Sequence, residues 1–305
     1  MLVFTLKRLG LALLVALAVS MLSFTLLHLS GDPASAIAGE GATDVDIAAI
    51  RAYYGFDRPL IVQYADWLFK ALRGDFGESY YFQLPVAQLI GDRLSITMTL
   101  GVCGISFALL TAVPLGVAAA VRPNSLIDRV ALFISVMGQA MPSFWFGLVL
   151  VVIFSIKFQL LPPSGTKSWE NFIMPTVVLG YYAMPAIMRL TRAGMLDVLS
   201  ADYVRTARAK GAGEMRVMFK HALRNAIIPV VSLSAVQMGF MLGGSIVVES
   251  IFALHGAGYL AWESIGRNDL PTVQALILIF SLFYIVFTFL SDLLNAWLDP
   301  RMRVG

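Results

Sequence analysis

Six long apolar runs constrain this chain more than anything else in it. They cover residues 9–29, 94–121, 130–156, 172–190, 227–248 and 272–297. Each is close to the roughly 20 residues that an α-helix needs to cross the hydrocarbon core of a bilayer. Inside lipid the backbone must satisfy its own polar groups, and a helix does so within one segment. Hydrophobic residues make up 58% of the chain and charged residues 13%, about half the charged share of a soluble domain. The expected fold class is therefore an all-α, polytopic membrane protein with six transmembrane helices. The first run follows Lys7 and Arg8 and exceeds the roughly 7–15 apolar residues of a signal peptide, so it reads as an uncleaved span. Cys103 is the only cysteine, which excludes an internal disulfide and a cysteine-rich metal centre.

The polar stretches between the runs have their own signals. In the insertion 30–93, Thr43 and Asp46 form a capping box that opens a short helix ending before Gly55. Pro59 opens a second, whose apolar face (Leu60, Tyr64, Trp67, Leu68, Ala71, Leu72) is expected to pack on the other helices and which Gly74 ends. The spans carry Pro114, Pro142, Pro175, Pro185 and Pro229, each able to free a backbone carbonyl. The third run is further interrupted by Gly138, Gln139 and Ser143. Gly239, Gly243 and Gly244 allow close helix approach. Gln139, Ser143, Ser232, Ser234 and Gln237 are the candidates to face an aqueous translocation path, because a glutamine is costly against lipid. Two domains are expected: 1–93, the first transmembrane helix plus an extracytoplasmic insertion with two short helices, and 94–305, a five-helix core.

The core is interrupted at about 196–226 by a basic loop. Between Arg189 and Arg224 lie eight cations and only three carboxylates. Both halves of the loop have helical periodicity. Leu196, Leu199, Tyr203, Thr206 and Ala207 share a face of the first half; Met215, Met218, Phe219, Ala222, Leu223 and Ala226 share a face of the second. Gly211 and Gly213 break the pattern between them, where a helix would end on a left-handed residue. Fourteen of the 22 Lys and Arg residues fall on the side that also holds both termini and this loop, which makes that side cytoplasmic. Arg189 and Arg192 read as partners of anionic lipid heads.

The spans are almost free of ionisable groups, and Asp292 is the one carboxylate in the six runs. That counts against a proton- or sodium-coupled secondary transporter, which keeps such groups at midplane. No phosphate-binding loop is present, since Gly165-Thr166-Lys167-Ser168 has the wrong order. Any driving force must come from another subunit. A basic helix-turn-helix could in principle enter a nucleic-acid groove, but a span begins directly at Pro229 and leaves no reach, so no nucleic acid is expected. No catalytic set appears, and no enzyme is expected.

The ordered string from Asp202 through VRTARAKG to HALRNA, Ile228 and Pro229 resembles the EAA loop of ABC-transporter permeases in its dipeptide/oligopeptide/nickel form, with Asp202 where Glu is commoner. The likeness extends to Gly31-Asp32-Pro33, the stretch 54–60 with Gln63-Tyr64, 73–77, Val248-Glu249, Phe252, Gly256, Gly258, Pro271, Val273-Gln274 and Asp299-Pro300-Arg301. His255 and Ala257 depart from the pattern. The resemblance implies a type I importer permease of the MetI-like fold in a bacterial inner (plasma) membrane. Implied partners are a second, homologous permease subunit in a heterodimer, two cytoplasmic ATPase subunits that carry ATP and Mg, and an extracytoplasmic solute-binding protein; this chain carries no cofactor or metal. Asp202, Tyr203, Arg205, Thr206, Ala207, Lys210 and Gly211 are implied to dock on the ATPase. Peptides are the implied cargo, with nickel or another small solute as the alternative.

Overall fold

The computed structural model describes residues 2–39 and 41–298. The Asp299-Pro300-Arg301 motif, Arg303 and Glu40 lie outside the described residues. Among those described, five helices are long and apolar enough to cross a membrane, and a sixth apolar run forms a bent pair. The long helices are α1 (Leu2–Ser30), α5 (Val86–Val121), α8 (Ile173–Leu199), α12 (Ile228–Phe252) and α14 (Leu270–Leu298). The bent pair is α6 (Leu126–Ala140) followed by α7 (Ser143–Leu150), which runs on as a π-helix to Lys157. They meet at 106°. The third run is thus two helices rather than one straight span. Pro142 is the cause: it caps α7, and Met141 before it takes the extended backbone that a following proline imposes.

The centre of the bundle is the crossing of α5 and α8. A Cβ on Gly180 would lie 2.5 Å from the Gly104 carbonyl oxygen, so only glycine permits this approach. Leu100, Ala108, Ala112, Met174, Val178, Ala183, Ile187 and Met188 fill the surrounding core. Gly239 on α12 packs on Tyr284 of α14 as expected, whereas Gly243 and Gly244 have no heavy atom within 4 Å of where a Cβ would sit. Pro114 and Pro185 lie inside helices. Pro175 and Pro229 lie in first turns, where no ladder bond is lost.

The insertion contains three short helices rather than two: α2 (Pro33–Ala38), capped by Asp32, then α3 (Asp44–Tyr54) and α4 (Leu60–Ala71). The Thr43–Asp46 capping box forms, and Gly55 ends α3 in the left-handed conformation. Gln63 fastens the turn between α3 and α4 by donating to the carbonyls of Phe56 and Arg58 at 3.1 and 2.7 Å. On the face expected to pack, Tyr64 meets Phe24 of α1 edge-on, Trp67 lies tilted against the same ring and Tyr64 bonds Ser20, while Leu60 and Leu72 remain exposed. Helix α5 begins at Val86 rather than Leu94, so the boundary expected after residue 93 falls inside a helix.

Candidate functional site

The basic loop stands off one end of the bundle as an arm. Helix α8 carries the chain through Arg189 and Arg192 to Leu199; after a turn at Ser200 and Ala201, α9 (Asp202–Ala209) sets off separately. The first half of the loop is therefore two helices, and Leu196 and Leu199 belong to the span. Helix α9 ends at Gly211, whose φ of 80° is the left-handed residue anticipated there. The Gly211 N–H donates to the Arg208 carbonyl and the Ala212 N–H to the Ala207 carbonyl, closing a Schellman turn. Gly213 has an ordinary extended conformation.

The return limb comprises α10 (Glu214–Arg216), a π-helical stretch Val217–Leu223 and α11 (Arg224–Ala226). A π-turn inserts one residue and rotates everything after it. The predicted face is consequently split. Ala222 and Ala226 are buried with Val217, while Met215 and Phe219 are 66% and 54% exposed. The arm is moored to the bundle by small apolar side chains: Ala222 and Ala226 pack with Val117, Ala120 and Met195. In α9 the buried residue is Val204, which falls outside the face anticipated from periodicity.

The docking candidates lie on the outside of α9. Asp202 and Arg205 pair at 3.3 Å in full solvent. Thr206 bonds back to the Asp202 carbonyl. Ala207 is half-buried, and Lys210 and Gly211 are exposed. The Tyr203 hydroxyl accepts from Asn225 Nδ2 at 2.8 Å and so braces the two limbs. Arg208 forks onto Glu214 at 2.9 and 3.2 Å across the turn. That hydrogen bond holds the Glu214 carboxyl below its ordinary range. What the arm offers outward is a rigid turn with Tyr203, Met215 and Phe219 exposed among cations.

The path candidates do not converge within one subunit. Gln139 is exposed just before the bend, and Ser143 and Gln237 are half-exposed. Ser232 is buried against α14, bonded to Asn295, and Ser234 bonds the Val230 carbonyl within α12.

Four polar constellations were not anticipated. Arg192 is no free partner of lipid heads: its Nε and Nη2 each donate to the Asp128 carboxylate at 2.7 Å, and Asp128 also accepts from the Asn124 N–H. This bidentate pair ties α8 to the start of α6. Asp292 pairs with Arg8 at 3.1 Å, joining α14 to α1. At the opposite end, Glu249 lies inside α12 rather than in the following loop, with no solvent exposure. It accepts from Thr97 Oγ1 and from the Tyr259 N–H, both at 2.8 Å, in the first turn of α13 (Ala257–Gly266). A Cβ on Gly256 would meet its carboxylate at 2.5 Å. Asp269, equally buried, takes the Ser79 hydroxyl at 2.6 Å and the Tyr80 N–H at 2.9 Å, fastening the insertion to the start of α14. The glycines at 256 and 258 were the one visible sign that something large sat against that turn.

The chain belongs to the family described as binding-protein-dependent transport system inner membrane component, whose model matches residues 112–304; the corresponding N-terminal model matches residues 1–101. It is 42% identical over 304 residues to the glutathione transport system permease protein GsiC of Salmonella choleraesuis (strain SC-B67), covering 99% of both chains. Against the protein of that name from Escherichia coli (strain K12) it is 41% identical over the same length. Among solved structures it resembles the MetNI methionine ABC transporter in an inward-facing conformation, with a TM-score of 0.58 and 18% identity, over 70% of this chain and 97% of that one. An amino acid ABC transporter crystallised with histidines matches with a TM-score of 0.51 at 18% identity, over 70% and 94%. The fold is thus that of a MetI-like permease, and the chain is a permease subunit of a binding-protein-dependent ABC importer.

Proposed function

We propose that this permease passes short peptides, a glutathione-sized tripeptide first among them, from an extracytoplasmic binding protein into the cell. Two ATPase subunits carrying ATP and Mg drive it from the cytoplasmic side. A second, homologous permease completes the path in a heterodimer. Both termini and the arm face the cytoplasm, while the residues ahead of α5 form the first span and outer insertion and those from α5 onward the core. The observation that carries the cargo reading is the full-length likeness to permeases named for glutathione transport. The insertion, which the MetI-like neighbours' 70% coverage leaves room for, is matched from end to end in those relatives.

In this reading Asp202, Tyr203, Arg205, Thr206, Ala207, Lys210 and Gly211 enter a cleft on the ATPase. A short element braced by Tyr203–Asn225 and Arg208–Glu214 transmits a rigid-body movement into α8 and α12. Gln139, Ser143 and Gln237 face the path between the two permeases, and Ser232 and Ser234 set the α12 backbone behind it. The test is uptake by the complete complex in proteoliposomes. ATP-dependent accumulation of a tripeptide that survives collapse of ion gradients supports the reading; uptake lost with the gradients at constant ATP overturns it.

A further inference from the structure

A cavity of about 600 Å³ lies where the insertion meets the start of α14. Small-molecule sites fall in the range of roughly 300–1,000 Å³. One wall is helix α4, whose Gln63, Asp66, Trp67 and Lys70 recur at helical spacing along about 10 Å of the axis. The facing wall is the loop fastened by Asp269, and Gln274 of α14 contributes to the lining.

Three groups on these walls are chemically unengaged. Gln274 is only 7% exposed, yet its Nε2 has no hydrogen-bond partner. A buried amide in that state carries a penalty that a ligand acceptor would relieve. Lys70 and Glu78 have no ion-pair partner among the described residues. The cavity's other charges are already engaged: Arg58 pairs with Asp66 at 2.7 Å, and Asp75 accepts the Gly77 N–H at 2.9 Å. Phe56, Trp67 and Phe76 supply apolar surface between them.

We propose that this cavity is a binding site for a short peptide with both charged ends, a waypoint on the outer side of the permease that rests on the peptide reading above. The peptide's carboxylate meets Lys70, a backbone carbonyl accepts from Gln274 Nε2, and the terminal ammonium meets Glu78. The aromatic wall covers the small side chains. An ethanolamine phospholipid headgroup carries the same ammonium and anion, so lipid composition is an arm of the test.

The experiment uses the complete transporter in nanodiscs without its binding protein. The probe is alanyl-benzoylphenylalanyl-alanine, cross-linked by light and mapped by mass spectrometry, in discs of phosphatidylcholine alone and of phosphatidylcholine with phosphatidylethanolamine. Expected are labels within 63–80 and 270–274 in both lipid mixtures, displaced by trialanine. Lys70→Ala, at an exposed position, and the near-isosteric Gln274→Glu each weaken that displacement roughly three- to tenfold. Labels elsewhere, displacement indifferent to both substitutions, or labelling confined to discs lacking phosphatidylethanolamine overturn the proposal; the last assigns the cavity to a headgroup. ATP-driven trialanine uptake is measured in parallel. Uptake without cavity labelling fails the waypoint alone, whereas absence of any peptide uptake fails the cargo reading beneath it.

Discussion

At the insertion end of the molecule, Glu249 and Asp269 have no solvent exposure and are met by backbone and hydroxyl donors from α5, α13 and the loop ahead of α5. At the arm end, Asp202, Arg205 and Lys210 stand in solvent, and the arm meets the bundle through a small apolar cluster. A buried carboxylate with several donors fixes geometry, because losing it strands each donor in a dry environment. Exposed charges contribute little to folding and remain available to a partner. The contrast separates an end built to keep its shape from an end built to be gripped.

The sharpest way to break this contrast is to remove the inner lock. Glu249→Leu strands the Thr97 hydroxyl and the Tyr259 N–H, and should destabilise the subunit by roughly 3 kcal/mol or more. Thermal unfolding in detergent would read this as a large drop in midpoint; no change would mean that the corner is not rigid. Asp128→Ala leaves Arg192 without its bidentate partner, at a cost of about 2–3 kcal/mol because the arginine keeps some solvent, measured in the same way. Gly211→Val forces a β-branched residue to a φ of 80°, costing about 1–2 kcal/mol locally. Its effect should appear chiefly as loss of the ATPase subunits on co-purification, with the unfolding midpoint little changed.

The smallest effect is the pH response of the arm. The Glu214 carboxyl is depressed by its bond to Arg208. A depressed carboxyl contributes stability that is present above its unfolded value and lost as pH falls through the lower folded value. Amide protection factors in 208–214, corrected for the intrinsic pH dependence of exchange, should therefore stay constant from neutral pH down to the ordinary glutamate range and fall only below it. Protection lost already above that range would contradict a carboxyl depressed by the Arg208 clasp.

Local chemistry made much of this legible in the sequence. The Thr43–Asp46 box, the left-handed Gly211 and the break at Pro142 each depend on a few adjacent residues, and each is found where the sequence places it. Two kinds of feature were not legible. The π-turn after Val217 shifts the phase of a helix without a distinctive residue, so Met215 and Phe219 turn outward while Ala222 turns in. The Glu249–Thr97 and Asp128–Arg192 contacts join residues remote in the chain, and periodicity carries no information about them. Glu249 falls just past the apolar run 227–248, yet it stays inside α12 because its hydrogen-bond donors come from other helices.

The most direct test of the account is site-specific cross-linking from the tip of the arm. Cys103 is the sole cysteine, so a Cys103→Ser background allows Thr206→Cys on α9 and Ala65→Cys, exposed on α4 of the insertion, to be compared in the complete complex. The account predicts that the α9 position joins the ATPase subunit in high yield, with yield changing on ATP binding, and that the insertion position never does. An α9 position that remains unreacted while the ATPase cross-links at another face of the permease would contradict it.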